Sequence, residues 1–314
     1  MKPTFIIQSR IKTRLSNIMQ LLPVLCLLFM AFPAIGQEEE AAASMPVARP
    51  VANTFESAML IDNQSVMVPI KGTFEFDIQH RFGTMQNGFE DLFGMYATSF
   101  IRIGFSYAPI DKLSLGFGYS KKNSLLDFSA KYALLRQYKD DWRRAVSVTY
   151  YGNMAINPKS AEDIEIYHDS DRFSFFHQLI IARKFNNWLS FQVAPSLSHY
   201  NLQPYRSMKN DHFAIAFGAQ VKVTEGMAFI VNVDQPLTQH DSRNPNPNVS
   251  LGLQMTTSSH AFQIFVGNYD GLVPQENNMY YRWVSPEGNS HWNGFDRFVD
   301  RFRIGFNITR LWNF

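Results

Sequence analysis

The segment Phe302-Arg-Ile-Gly-Phe-Asn-Ile-Thr-Arg-Leu-Trp-Asn-Phe314 decides the fold of this chain. Large apolar residues alternate in it with small or polar residues, which places the two sets on opposite faces of a β-strand. A strand of about ten residues with one apolar and one polar face is typical of a transmembrane β-barrel, whose apolar face contacts lipid. The apolar set comprises Phe302, Ile304, Phe306, Ile308, Trp312 and Phe314.

The same strand carries the predicted assembly signal. The chain stops at an aromatic residue on the apolar face, as bacterial outer-membrane barrels characteristically do. By that resemblance we expect the barrel assembly machinery to recognise the last strand, and outer-membrane lipid to surround the folded protein. The residues assigned to the signal are Phe306, Ile308, Trp312 and Phe314.

The N-terminus predicts export. A basic region precedes an apolar run over 21–32 and a small-residue cleavage site at 34–36, so we predict a secretory signal peptide over 1–36. Its removal would change the formal net charge from +2 to −2, because it contains four basic residues and no acidic one. Charge therefore predicts no nucleic-acid partner. Removal of Cys26, the single cysteine, would exclude disulfides and thiolate sites.

Composition favours a membrane barrel over a soluble domain. Charged residues make up 18 % of the chain, whereas about 25 % is usual in soluble proteins. No stretch after residue 36 reaches the roughly 18 apolar residues of a transmembrane helix. A soluble β-sandwich would also alternate with period two, but its connections need not alternate in length.

Alternating segments predict an all-β, antiparallel, up-and-down barrel of about twelve strands over 71–314, with ten or fourteen strands as alternatives. The predicted strands lie near 71–82, 98–108, 113–120, 125–136, 144–153, 172–184, 189–199, 211–223, 227–235, 248–257, 261–268 and 298–314. Connections alternate between tight turns and long loops, and 121–124 is a short link on the outer side. Because proline cannot donate to the ladder, we expect a bulge at Pro195.

The long connections are predicted at 83–97, 154–171, 200–210, 236–247 and 269–297. The tight turns are predicted at 109–112, 185–188, 224–226 and 257–259. Outer-membrane barrels have short periplasmic turns and longer outside loops, so we expect every tight turn on the periplasmic side.

Several blocks carry a family resemblance: His80-Arg-Phe-Gly83, Lys131-Tyr-Ala-Leu-Leu-Arg-Gln137, His177-Gln-Leu-Ile-Ile-Ala-Arg-Lys-Phe185 and Arg303-Ile-Gly-Phe-Asn-Ile-Thr-Arg310. They resemble an uncharacterised outer-membrane β-barrel family of Bacteroidota-type bacteria, domain of unknown function 5777. The resemblance spans residues 54–314, but Ser258 and Ser259 stand where the family pattern has two glycines. It implies the fold and the location, and it implies no activity.

Two different segments precede the barrel. Residues 37–53 are acidic and rich in alanine and proline, which predicts a disordered linker. Residues 54–70 are either a solvated lead-in to the first strand or a plug inside the barrel, and a short helix from Phe55 is expected there. The residues that would make the plug contacts are Leu60, Asp62, Asn63 and Gln64.

Strand parity directs a set of ionisable side chains into the lumen: Glu75, Asp77, Arg102, Asp127, Lys131, Lys184, Lys222, Asp234 and Arg303. One interpretation is a structural network in which acids and bases neutralise one another. The other is a polar path that selects solutes, although mixed signs give no strong ion preference. Twelve strands lie between filled barrels of eight and open channels of sixteen to eighteen, which predicts a narrow or plugged pore.

No catalytic residues are predicted. Two His-Asp-Ser tripeptides, 168–170 and 240–242, lie in long, polar outer loops where we expect exposed side chains, and adjacent residues cannot themselves form a triad. Ser198 and His199 fall on opposite faces of one strand, which argues against an outer-membrane lipase. The eight histidines are scattered, and no phosphate loop occurs, so no metal and no cofactor are expected.

The sequence therefore favours a narrow or gated channel for small polar solutes. The alternative is a non-conducting barrel that scaffolds periplasmic or surface partner proteins. A lipid-modifying outer-membrane hydrolase is the more distant alternative.

Overall fold

The computed structural model describes residues 49–139, 141–160, 166–282 and 301–314. The predicted signal peptide and residues 37–48 of the predicted linker lie outside these ranges. Twelve antiparallel strands of the described chain close into a barrel, preceded by a two-stranded hairpin. Among the described residues, no helix is both long enough and apolar enough to cross a bilayer.

The hairpin strands are β1 (Met59–Leu60) and β2 (Asn63–Gln64). The barrel strands are β3 (Thr73–Thr84), β4 (Phe100–Ile110), β5 (Leu113–Ser120), β6 (Leu125–Leu135), β7 (Ser147–Ile156), β8 (Phe173–Lys184), β9 (Leu189–Tyr200), β10 (Asp211–Thr224), β11 (Met227–Pro236), β12 (Asn248–Thr256), β13 (His260–Gly267) and β14 (Arg303–Asn313). Helix α1 spans Pro274–Tyr280. Short 3-10 helices span Met85–Asp91, Lys122–Ser124, Trp142–Arg144 and Asp169–Arg172.

The barrel closes where β14 pairs with β3, from Asn313 opposite Thr73 to Arg303 opposite Thr84. Closure leaves no strand edge in lipid, where each unpaired backbone group would cost several kcal/mol. The prediction of twelve strands is therefore confirmed, and the counts of ten and fourteen are wrong.

The two faces of each strand differ in the predicted way. Along β3, every second residue from Thr73 is buried, and the residues between them are larger and more exposed. The buried set includes Glu75, Asp77, Gln79 and Arg81. On β5 the outward residues are Leu115, Phe117 and Tyr119, and all three are exposed. Polar side chains thus fill the interior, and the exterior presents an apolar surface to lipid.

The connections separate the barrel into two ends. The short-turn end carries 111–112, 185–188, 225–226 and 257–259, and also the longer connection 136–146. The long-loop end carries 85–99, 157–172, 201–210, 237–247 and 268–302, which extend in part beyond the described residues. Every predicted tight turn lies at the same end, as predicted.

The expected bulge at Pro195 is wrong. Pro195 lies opposite Ile215 of β10 in an unbroken register. The register with β8 is the same on both sides of the proline, at Ser196 opposite Gln178 and at Val193 opposite Ile181. The ladder therefore accommodates the missing N–H as a local gap in pairing, and no extra residue is inserted.

Candidate functional site

Residues 54–66 lie in the lumen, and 67–70 continue to the short-turn end, where Ile70 is exposed; we call residues 54–70 the inner segment. Its backbone carbonyls accept hydrogen bonds from side chains of strands on several sides of the barrel. These bonds run from Gln263 Nε2 to Met59 O (2.9 Å), Asn307 Nδ2 to Ile61 O (2.7 Å), Gln192 Nε2 to Gln64 O (2.9 Å) and Thr149 Oγ1 to Val66 O (2.8 Å). Because β7, β9, β13 and β14 all contribute, residues 54–66 of the inner segment lie inside the barrel.

The inner segment forms a hairpin, and the expected short helix from Phe55 is wrong. β1 and β2 pair through Met59 with Gln64 and through Leu60 with Asn63. Ile61, in the turn, has a positive φ of 60°. A helix of one or two turns has a costly nucleus. Here amide side chains of the barrel wall form hydrogen bonds with the backbone of the segment, which therefore does not need the hydrogen bonds of a helix.

The apolar part of the hairpin forms a small core inside the barrel. Leu60 and Ile61 are fully buried and belong to a cluster with Phe176, Ile180 and Phe265 of the strands. Gly218 on β10 leaves room for this packing, because a Cβ there would lie 2.9 Å from Leu60 Cδ1. Burial of two aliphatic side chains contributes about 1.5–3 kcal/mol each before entropy costs.

Asn63 is held on both sides of its amide. Its Nδ2 donates to Asp234 Oδ1 at 2.7 Å and to Asn232 Oδ1 at 3.0 Å, and its Oδ1 accepts from Gln178 Nε2 at 2.8 Å. Gln64 accepts a bond from Lys131 Nζ at 3.1 Å. These contacts join the hairpin to β6, β8 and β11.

Asp62 is paired with Arg81, which the luminal set predicted from the sequence lacks. Asp62 Oδ1 lies 2.5 Å from Arg81 Nη2, and Arg81 is 1 % exposed. Arg81 also donates to Asn307 Oδ1 at 2.9 Å and stacks over Phe265, with 4.5 Å from Cζ to the ring centroid. The signal was present, since Arg81 has the same strand parity as Glu75 and Asp77.

A second charge cluster lies beside the inner segment. Arg102 donates to Asp77 Oδ1 at 3.0 Å and binds Asp127 through two bonds of 2.8 and 2.9 Å. All three residues are buried, and the pair with Asp127 has the bidentate geometry that favours arginine. Gly118 makes this possible, because a Cβ at that position would collide with the guanidinium.

The remaining predicted luminal residues spread along the barrel and do not form one ring. Glu75 and Lys131 are buried near the Arg102 cluster, and Lys131 Nζ donates to Ala58 O at 2.8 Å. Lys222 pairs with Glu56 at 3.0 Å. Lys184 Nζ donates to the carbonyls of residues 52 and 53 at 3.1 Å each, near the short-turn end.

The long-loop end is partly covered by a part of the β13–β14 connection for which the sequence predicts only a long loop. Helix α1 carries five buried residues, 275–279. Gln275 Nε2 donates to Asn153 Oδ1 at 3.1 Å and to Ser174 Oγ at 3.3 Å, so α1 packs against β7 and β8. The apolar Leu272 and Val273 before it are also buried.

Asp270 fixes the same connection to the barrel. Its carboxylate lies 2.6 Å from Lys122 Nζ and 3.2 Å from Arg303 Nη2. Burial raises the pKa of the Asp270 carboxyl. Lys122 and Arg303 together lower it by more than burial raises it, so the pKa lies below its ordinary value. Arg303, predicted as luminal, is therefore an anchor for this connection at the end of β14.

Among the described residues, the hairpin and α1 lie next to cavities at three levels of the barrel. A cavity of about 60 Å³ lies between the hairpin and α1 and is lined by residues such as Asp62, Glu75, Arg102 and Asn277. A cavity of about 750 Å³ opens at the long-loop end beside Tyr280. A third of about 610 Å³ opens at the short-turn end. The middle cavity has room for a few water molecules only.

The His-Asp-Ser tripeptides differ from each other in burial. His168 is exposed in the loop, as expected, whereas His240 is 5 % exposed, so the expectation of an exposed side chain there is wrong. His240 Nδ1 accepts from Lys209 N at 2.9 Å, and its Nε2 lies 3.0 Å from His212 Nδ1. Burial, followed by the nearby Lys209, lowers the pKa of His240.

The lipase arrangement is absent at Ser198 and His199. Ser198 is fully buried inside the barrel, and His199 lies on the outer face, 2.7 Å from Asp211 Oδ1. Within the described ranges, no group of three or more histidine, cysteine, aspartate or glutamate side chains could hold a metal ion.

The residues assigned to the assembly signal lie at the seam of the barrel. Phe306 stacks on His80 with ring centroids 4.9 Å apart, and Trp312 packs on Phe74 at 5.8 Å. Ile308 lies opposite Ile78 in the register. Phe314 is 90 % exposed at the short-turn end, and its N–H donates to Gly72 O at 3.3 Å.

The sequence of this closed barrel matches a known protein family. The family described as "Membrane bound beta barrel domain (DUF5777)" has a model that matches residues 55–312. The chain belongs to this family. Membership confirms the predicted family and a membrane-bound barrel. No curated protein matches the chain.

Solved structures with a similar course of the chain include an outer membrane channel of the COG4313 group from Pseudomonas putida F1. It shares 11 % identity over 78 % of this chain and 97 % of its own, with a TM-score of 0.49. The KdgM porin shares 9 % identity over 76 % of this chain and 98 % of its own, with a TM-score of 0.42.

Proposed function

We propose that this member of the DUF5777 family is a gated channel for small polar solutes. The observation that supports it best is the way the lumen is filled. The inner segment and α1 leave only about 60 Å³ between cavities of about 610 and 750 Å³. Among the described residues, the lumen therefore widens towards each end and is narrow between the hairpin and α1.

Several of the contacts of the inner segment are ones that water can replace. Gln263, Asn307 and Gln192 bind its carbonyls through single hydrogen bonds. A typical hydrogen bond contributes only about 0.5–1.5 kcal/mol net, because water competes for the same groups. Withdrawal of the hairpin would leave the twelve-stranded ladder intact, so opening does not require the barrel to unfold.

The wall behind the inner segment is rich in amides. Buried amide side chains that point into the lumen include Gln178, Gln192, Gln220, Asn232, Gln254, Gln263 and Asn307. Amides both donate and accept hydrogen bonds and carry no charge. Together with clusters of mixed sign, this lining favours small polar solutes over ions of one sign.

Conductance in planar bilayers tests the proposal. A chain that lacks residues 54–65 should conduct several times more than the intact protein, since the hairpin no longer fills the lumen. A chain that lacks only residues 37–48 is the matched control, because it keeps every contact described for the hairpin. Equal conductance of all three proteins would contradict a gate at this position.

The second candidate is a non-conducting barrel that scaffolds partner proteins. Closure by two separate elements, the hairpin and α1, favours it. In that case, removal of the hairpin would leave conductance unchanged, and chemical cross-linking in cells would capture a protein at the loops. The separation of Ser198 from His199 gives the hydrolase alternative no support.

A further inference from the structure

The lipid-facing surface of β7 and β8 contains a polar pair near the middle of both strands. Tyr150 is the fourth residue of β7, and His177 is the fifth residue of β8. Both are exposed, and the Tyr150 hydroxyl lies 2.6 Å from His177 Nδ1. The exposed residues around them include Phe128 and Leu179, and also Tyr132, which lies opposite Tyr150 on β6. An ionisable residue facing hydrocarbon is costly unless it has partners.

One hydrogen bond does not satisfy this pair. If the tyrosine hydroxyl donates to Nδ1, then Nε2 carries a proton and needs an acceptor. If Nδ1 donates to the hydroxyl oxygen, then the hydroxyl proton needs an acceptor and Nε2 needs a donor. In either tautomer the pair presents one free donor and one free acceptor, and no described residue bonds His177 Nε2. Unsatisfied groups in lipid cost several kcal/mol.

A group with one free donor and one free acceptor is complementary to a copy of itself. A two-fold axis places identical patches face to face, so each His177 would bond the Tyr150 of the other copy. Gly152 lies directly opposite His177 in the register, and a Cβ there would lie 3.2 Å from the Tyr150 hydroxyl. The missing side chain at Gly152 thus lets the Tyr150 ring lie across β7 towards His177.

We propose that the outer face of β7 and β8 is a dimer interface, at which Tyr150 and His177 of two copies of this chain form a closed ring of hydrogen bonds. The partner on this face is a second copy of this chain, because the free donor and the free acceptor of its Tyr150–His177 pair match those of the first copy in either tautomer. A lipid chain offers no hydrogen-bonding group at this depth.

Cysteine cross-linking in native membranes tests the interface, since residues 49–314 contain no cysteine. Leu179→Cys lies beside the pair, whereas Ile264→Cys is equally lipid-facing but lies on β13, across the barrel. We expect covalent dimers from Leu179→Cys and none from Ile264→Cys. Absence of dimers at position 179, or equal yields at both positions, would overturn the proposal.

The role of the pair itself is tested with Tyr150→Phe and His177→Phe together, in the Leu179→Cys background. Loss of the hydrogen bonds should lower the dimer fraction about tenfold, which corresponds to about 1.4 kcal/mol. The double variant should still fold, because it replaces polar groups on a lipid face with apolar ones of similar shape. Heat-modifiable migration on gels checks this. An unchanged dimer fraction in the folded double variant would exclude the proposed ring.

Discussion

The carboxylate of Asp62 lies 2.5 Å from the guanidinium of Arg81, inside a barrel whose strands enclose both residues. Arg81 belongs to the wall and Asp62 to the hairpin that fills the lumen. This ion pair therefore joins the movable element of the proposed gate to the rigid one.

Asp62→Ala should loosen the hairpin. It leaves Arg81 buried without its carboxylate, and breaking a buried pair in this way typically costs about 3–5 kcal/mol. We expect faster hydrogen exchange across residues 54–65 and a higher open probability in bilayers. Asp169→Ala is the control, because that side chain is fully exposed and its pair with Arg172 spans 3.9 Å. Equal exchange in the two variants would argue against an anchor at Asp62.

Arg102→Met should destabilise the barrel by about 3–5 kcal/mol, since Asp77 and Asp127 would remain as buried, unpaired carboxylates. Replacement of both aspartates by asparagine in the same chain removes those charges and should restore most of the loss. Urea unfolding in lipid vesicles measures both. If the triple variant were less stable than Arg102→Met, the charges would not be the cause of the loss.

Deletion of residues 312–314 should leave most of the protein unassembled. These residues pair with β3 at the seam, through Trp312 opposite Phe74 and Asn313 opposite Thr73. They also include the proposed signal for the assembly machinery. The measurement is the heat-modifiable fraction in isolated outer membranes. Phe89→Ala, which changes an exposed aromatic residue at the long-loop end, should assemble normally.

His240→Ala should destabilise the long-loop end by about 1–3 kcal/mol, because Lys209 N and His212 would lose a buried partner. His168→Ala, an exposed position, should change stability by no more than about 0.5 kcal/mol. Thermal unfolding of the two variants compares them. Neither change is expected to abolish a hydrolytic activity, and loss of a defined activity in either would reverse that expectation.

The loops that His240 joins should loosen as the pH falls. The pKa of His240 is lowered in the folded protein from its ordinary value of 6.5. Below that value the unfolded state binds the proton more readily than the folded state, so stability is complete above pH 6.5 and declines as the pH falls towards the folded pKa. The protection of 237–247 against hydrogen exchange, relative to the intrinsic rate at each pH, should fall as the pH drops from about 7.5 to about 5.5 in the wild type. In His240→Ala this fall should be smaller.

The luminal site was partly predictable from parity. Glu75, Asp77, Arg102 and Asp127 face inward because side chains alternate along a strand, and this rule also applies to Arg81. Parity does not say which inward groups meet. Asp77 and Asp127 converge on Arg102 because β3, β4, β5 and β6 are neighbours in the closed sheet.

The sequence by itself determined the barrel, a count of about twelve strands and the ends at which turns and loops lie, because a period of two and turn residues are local properties of the chain. Only the tertiary structure decided what fills the lumen. Ile61 N donates to Gln263 Oε1 at 3.2 Å, across 202 residues of sequence. Such a contact exists only after closure brings all twelve strands around one small volume, so the hairpin and α1 find partners that no local pattern encodes.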